Sequence, residues 1–154
     1  MVNNVVDRLG GWRTGLVIAA AGVSLLAAPS VRADEPFVFQ LPSGNIVCYL
    51  GPAAEGGTNG AVGCEIGEHT YAPPPRPQTC HLGWGDRFYL AQGSPVTVSC
   101  HGDTLRTGNP PTLDYGETAF SGAIRCGIEE TGVTCTDNST GHFFRLSTGS
   151  YQLG

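Results

Sequence analysis

Six cysteines, separated by 16, 16, 20, 26 and 9 residues, constrain this chain more than any other feature. No C-x-x-C pair occurs among them, so the spacing argues for three disulfides in an oxidising compartment rather than for a zinc site. Counting alone leaves many connectivities open, and an internal repeat narrows them. Ser43-Gly44-Asn45-Ile46-Val47-Cys48 matches Ser121-Gly122-Ala123-Ile124-Arg125-Cys126 as S-G-x-I-x-C. Each copy is followed by V-x-C: Val62-Gly63-Cys64 in the first and Val133-Thr134-Cys135 in the second. Residues two apart in a strand face the same side. Ile46 therefore shares a face with Cys48, Val62 with Cys64, Ile124 with Cys126 and Val133 with Cys135. Each repeat reads as two strands joined by a Gly-bearing turn, with a cysteine from each strand on one buried face. The expected bridges are Cys48–Cys64 and Cys126–Cys135, which leaves Cys80–Cys100. Chance recurrence of a short motif in a Gly-rich chain is the competing explanation. Each bridge would contribute about 2–4 kcal/mol.

The 154 residues suggest one domain. Gly 23 and Pro 11 interrupt any helical period, which excludes coiled coils and helical bundles. Short strand candidates alternate with turn-rich linkers. They are 37–40, 45–49, 61–66, 87–90, 96–100, 122–128, 132–136, 142–146 and 151–153. The expected fold class is all-β: a small disulfide-stapled sandwich or partly open barrel with an internal two-strand repeat. Pro73-Pro74-Pro75-Arg76-Pro77 should be extended. It reads as a stiff surface connection packed over Tyr71 and a buried Trp84, more than as a ligand for another protein's aromatic groove.

Residues 1–33 read as a secretory signal peptide. Arg8 and Arg13 precede an apolar run from Leu16 to Ala28, Pro29 breaks it, and Val31-Arg32-Ala33 offers a cleavage site before Asp34. The run is shorter than the roughly 20 residues that span a bilayer. An uncleaved anchor is the alternative. No twin-Arg pair is present, and no cysteine precedes Cys48, so lipidation at the cut is excluded. The expected mature domain is 34–154, with five Arg against twelve acids and a net charge of −7. Such a chain, with no basic run, is a poor binder of nucleic acid. Stable membrane insertion after cleavage is not expected. The absence of Lys excludes Schiff-base catalysis.

An ordered set of motifs spans about residues 37–153. It comprises Phe39-x-Leu41-Pro42-Ser43-Gly44-Asn45-Ile46-x-Cys48, Val62-x-Cys64-Glu65-Ile66, a Pro-rich stretch before Cys80 and Trp84-Gly85. Cys100-x-Gly102-Asp103-Thr104, Leu113-x-Tyr115-Gly116, Cys126, Gly132-Val133-Thr134-Cys135 and Gly141-His142-x-Phe144-x-Leu146 follow. The set resembles a family of small secreted actinobacterial, mycobacterial-type proteins of unknown function. The resemblance implies secretion and the disulfide scaffold, and no activity.

Two histidines directly follow cysteines, at Cys80-His81 and Cys100-His101. With Asp103 they make a candidate two-His, one-carboxylate metal set. The simpler interpretation is two exposed histidines beside a structural bridge. His69 sits in a loop beside Glu68, and His142 opens a late strand, so the four histidines are not expected to form one site. No metal and no cofactor is expected. Ser43, His142 and Asp103 could be nominated as a hydrolytic triad, but Ser43 lacks the G-x-S-x-G elbow. Ser-Gly recurs at Ser121-Gly122, as a turn former would. Asp103 is expected to cap its own turn, with Arg106 as its ion-pair partner. Asn138-Ser139-Thr140 reads as a turn rather than a glycan acceptor. The sequence points to a secreted or cell-envelope module, binding or structural, with a protein or glycan partner. The alternative is a small secreted enzyme or metal-binding protein using His81, His101, Asp103 and His142.

Overall fold

The computed structural model describes residues 28–154. Residues 1–27, most of the expected leader, lie outside the described residues. Eleven strands form: β1 (Ser30–Arg32), β2 (Phe37–Gln40), β3 (Ile46–Pro52), β4 (Gly60–Ile66), β5 (Arg87–Ala91) and β6 (Thr97–Val98), then β7 (Thr118–Ser121), β8 (Ile124–Glu129), β9 (Gly132–Asp137), β10 (Phe143–Leu146) and β11 (Tyr151–Leu153). They make two open sheets, not closed into a barrel. The first has the order β2-β3-β4-β5-β6, and the second β1-β7-β8-β9-β10-β11. Every pairing is antiparallel except β1 with β7.

The two repeats become equivalent hairpins, β3–β4 in one sheet and β8–β9 in the other. Cys48 faces Cys64 and Cys126 faces Cys135 in the strand register. Both pairs have Cα atoms 4.1 Å apart and are bridged. The third bridge, Cys80–Cys100, joins two loops across 5.7 Å. All three spans suit unstrained disulfides or lie close to the usual lower bound. Ile46, Leu50, Val62, Ile124, Ile128 and Val133 line the facing inner surfaces with the two bridges. Phe39, Phe88 and Phe144 are fully enclosed among them. Each such ring contributes about 1.5–3 kcal/mol through burial alone.

The strand expectations need three corrections. The strand expected at 122–128 starts two residues later, as β8 from Ile124, because an unexpected strand, β7, ends at Ser121 and Gly122-Ala123 turn the chain between them. Gly122 has φ +54°, and a Cβ there would lie 2.5 Å from the Gly60 amide nitrogen. The expected strand at 96–100 shortens to Thr97–Val98, because Cys100 belongs to the loop that its bridge anchors. Strand β1 was not expected either; it lies at the end of the leader-like segment.

Candidate functional site

The densest cluster of ionisable groups sits on the outer face of the five-stranded sheet. Alternation along β4 and β5 turns Cys64, Ile66 and Phe88 inward and Glu65 and Arg87 outward. Glu65 and Arg87 are direct cross-strand partners. Arg87 donates Nε–H and an Nη2–H to Glu65 Oε2, at 3.0 and 2.6 Å. Its Nη1 donates to Asp103 Oδ1 at 2.9 Å, and Nη2 also reaches the Asp103 carbonyl at 3.0 Å. Glu65 takes two further bonds, from Thr104 Oγ1 at 2.5 Å and from the Leu105 amide at 2.9 Å. Both side chains are nearly out of water, at 6% exposure for Glu65 and 11% for Arg87. Charges so placed hold only when partnered and fully hydrogen-bonded, and these are.

The C-x-G-D-T motif is thereby explained as a clip. Asp103 and Thr104 grip the Arg87–Glu65 pair, and the bridge at Cys100 fixes the approach. His101 adds a second hold. Its Nε2 lies 3.0 Å from Asp86 Oδ1, and its Nδ1 lies 2.7 Å from the Asp103 carbonyl. The His101 backbone pairs with Gly83 in both directions. Asp103 therefore pairs with Arg87, not with Arg106 as expected. The Arg106 guanidinium instead covers Gly67, where it occupies the place of a Cβ.

Burial pushes the Glu65 carboxyl up, but the Thr104 hydroxyl, the Leu105 amide and Arg87 outweigh it and hold it below the usual range. Burial opposes the charged form of Arg87 too, and its two carboxylate partners raise it further. Asp103 is held low by Arg87. Burial also opposes a charged His101, yet the Asp103 carbonyl and the Asp86 carboxylate raise it. The cluster is a set of mutually neutralised groups. No buried side-chain nitrogen or oxygen among the described residues is left without a partner.

The other candidate residues lie apart. His81 is exposed on the loop after Cys80. His69 stacks on Tyr71 with ring centroids 4.0 Å apart. His142 reaches the Gly154 carbonyl at 3.2 Å. Among the described residues no three His, Cys, Asp or Glu are grouped to hold a metal ion. Ser43 is a turn former, accepting a bond from the Asn45 amide at 3.3 Å, and Gly44 beside it has φ +68°. No hydrogen bond links Ser43, His142 and Asp103. Trp84 is largely covered, as expected, and its Nε1–H donates to the Pro74 carbonyl at 2.9 Å, which ties it to the proline segment. Tyr71 belongs to the same patch, donating its hydroxyl to the Gly85 carbonyl.

Asp137 is the functional-looking residue that sequence reasoning missed. It is fully buried at the end of β9. It accepts from the Gly93 amide at 2.6 Å, from the Ser139 amide and hydroxyl at 2.9 and 2.6 Å, and from Thr140 Oγ1 at 2.9 Å. Burial alone would raise its carboxyl, but these donors lower it to about 2. The signal was present as Asp137-x-Ser139-Thr140, an aspartate ahead of hydroxyl residues in a turn. Asn138-Ser139-Thr140 is accordingly the turn that Asp137 organises.

Fold and cluster together define a disulfide-stapled, two-sheet β domain whose enclosed charges hold its own loops in place. A family model described as a family of unknown function, DUF6636, matches residues 20–153, and the chain belongs to that family. No curated protein and no solved structure matches the chain.

Proposed function

We propose that the protein is an exported, non-catalytic module of an actinobacterial cell envelope or medium, cut between Ala33 and Asp34, that binds a protein or a glycan. The observation that carries this reading is the fate of the polar groups. Glu65, Arg87, His101, Asp86 and Asp137 each face a partner from their own chain, and none is presented to a cleft. Three bridges in so small a domain suit an oxidising compartment. The ordered motif set, which resembles small secreted actinobacterial proteins, supports the source and the export.

The test is capture by the purified, oxidised domain of components from isolated cell envelope and from culture medium. Saturable binding of one protein or glycan, lost on reduction and unfolding, is expected. One equivalent of zinc or copper in protein purified without a histidine tag, absent from a His81→Ala/His101→Ala double variant, would overturn the reading in favour of a metal protein.

A further inference from the structure

We propose that removal of the leader uncovers β7 as a docking edge for an extended segment of a partner protein, one with an apolar residue and, two positions on, a small one. The proposal deepens the binding reading above and rests on its cut after Ala33. In the full chain the end of the leader occupies this edge. Ser30, Val31 and Arg32 pair in parallel with Thr118, Ala119 and Phe120. The Ala33 amide donates to the Phe120 carbonyl at 2.8 Å, and the Thr118 amide to the Pro29 carbonyl at 3.2 Å. Val31 packs against the core, and Ala33 lies within it at 3% exposure. Arg32, between them, stays outside and pairs with Asp34 at 2.6 Å.

A cut between Ala33 and Asp34 detaches this whole strand. It leaves a row of unpaired main-chain groups on β7 and two hollows, one shaped by Val31 and one by Ala33. Apart from its four-residue length, strand β7 lacks the devices of an outer strand. Natural sheet edges are blunted by charges, prolines or bulges. Thr118-Ala119-Phe120-Ser121 carries no charge and no proline, and it pairs with β8 in unbroken register. An unblunted strand of this kind is a template for another strand.

The hollows say what that strand must be. Main-chain bonds attract any extended peptide, while the side-chain hollows select among them. The enclosed Ala33 position takes a small residue, and the Val31 position an aliphatic one. At the Ala33 end a cleft of about 200 Å³, lined by Arg32, Ala33 and Asp34 together with Pro52, Thr58, Phe120 and Gly122, would widen on cleavage into a path for the rest of the partner's chain.

The experiment uses exported protein recovered from the medium of an actinobacterial host. Its intact mass is measured first, with a start at Asp34 expected. The probe is a synthetic, end-capped peptide of residues 28–33, standing for the partner's segment, titrated while backbone amide signals are followed. Saturable shifts centred on Thr118–Ser121 are expected. Peptides carrying Val31→Asp or Ala33→Phe should bind at least about tenfold more weakly, since the first puts a charge against the apolar core and the second excess volume into an enclosed position. Unchanged β7 amides at millimolar peptide, or equal binding by the variant peptides, would overturn the docking edge while leaving export and cleavage intact. A dimer paired through β7 would give the edge to a second copy and also overturn it. An exported chain that still carries Ser30–Ala33 would instead remove the cut itself, and the mass alone reports that failure.

Discussion

The hairpins β3–β4 and β8–β9 share one inner face and differ on the other. Inward, Ile46 corresponds to Ile124, Leu50 to Ile128, Val62 to Val133, and the two cysteine pairs coincide. Outward, the pair Val47 and Glu65 in the first becomes Arg125 and Thr136 in the second. The first pair is enclosed, at 3% and 4% exposure. Arg125 is exposed and Thr136 half-buried. The segment from Asp103 to Pro110, stapled at Cys100, lies over the first hairpin, and among the described residues nothing equivalent covers the second. At the closing register position Ile66 stands opposite Ile46, while its counterpart opposite Ile124 is the buried Asp137. The comparison teaches that the repeat supplies the core, and that individuality arises where each hairpin meets its loops.

The comparison is broken most severely by Glu65→Ala. Arg87 would keep only the exposed Asp103 as a partner, and the clip would lose two bonds. A loss of about 3–5 kcal/mol in chemical denaturation is expected. The corresponding Thr136→Ala should stay within about 0.5 kcal/mol. Removing either hairpin bridge, as Cys48→Ala/Cys64→Ala or Cys126→Ala/Cys135→Ala, should cost about 2–4 kcal/mol. The shorter loop should lose slightly less. A tenfold disparity in their effects on the unfolding constant would contradict their equivalence.

Asp137→Asn should cost about 1–3 kcal/mol, because amide N–H groups meet donors at that site. It also sharpens the contrast in acid. A carboxyl lowered to about 2 contributes stability that is present above its ordinary 3.8 and is lost as pH falls toward 2. The variant should therefore show a flatter stability profile in that window. His101 acts in the opposite direction. Its raised pKa gives stability that is fully present below the ordinary 6.5 and is lost as pH rises past the raised value. His101→Gln should flatten the alkaline limb and leave the acid limb alone. Apart from the Thr136→Ala control, the smallest effect is expected from Trp84→Phe, about 1 kcal/mol for the bond to Pro74. The tryptophan signal of the folded domain should be that of partly solvated indole.

Much of this was legible because period-two patterning and cysteine spacing are local signals. The inner faces of both hairpins could be read from Ile46, Cys48, Ile124 and Cys126 alone. Strand β7 escaped notice because it is four residues long and ends at Ser121-Gly122, which reads equally well as the opening of a repeat. Strand β1 escaped because Val31-x-Ala33 satisfies a cleavage pattern and a strand pattern at once. The Glu65–Arg87 pair could not be read at all: its residues are 22 apart, and their burial depends on the clip that arrives from Asp103. Nearness in sequence points Asp103 to Arg106. Register, which sequence spacing does not reveal, delivers Arg87 instead.

The clip over the first hairpin is tested most directly by native-state hydrogen exchange at one amide, Leu105, which donates to the buried Glu65 carboxylate. The account predicts that this loop amide exchanges as slowly as the β4 amides in the native protein, and that it becomes fast in Glu65→Gln while the β8–β9 amides keep their protection. Leu105 exchanging at the rate of an open loop in the unaltered protein would contradict it.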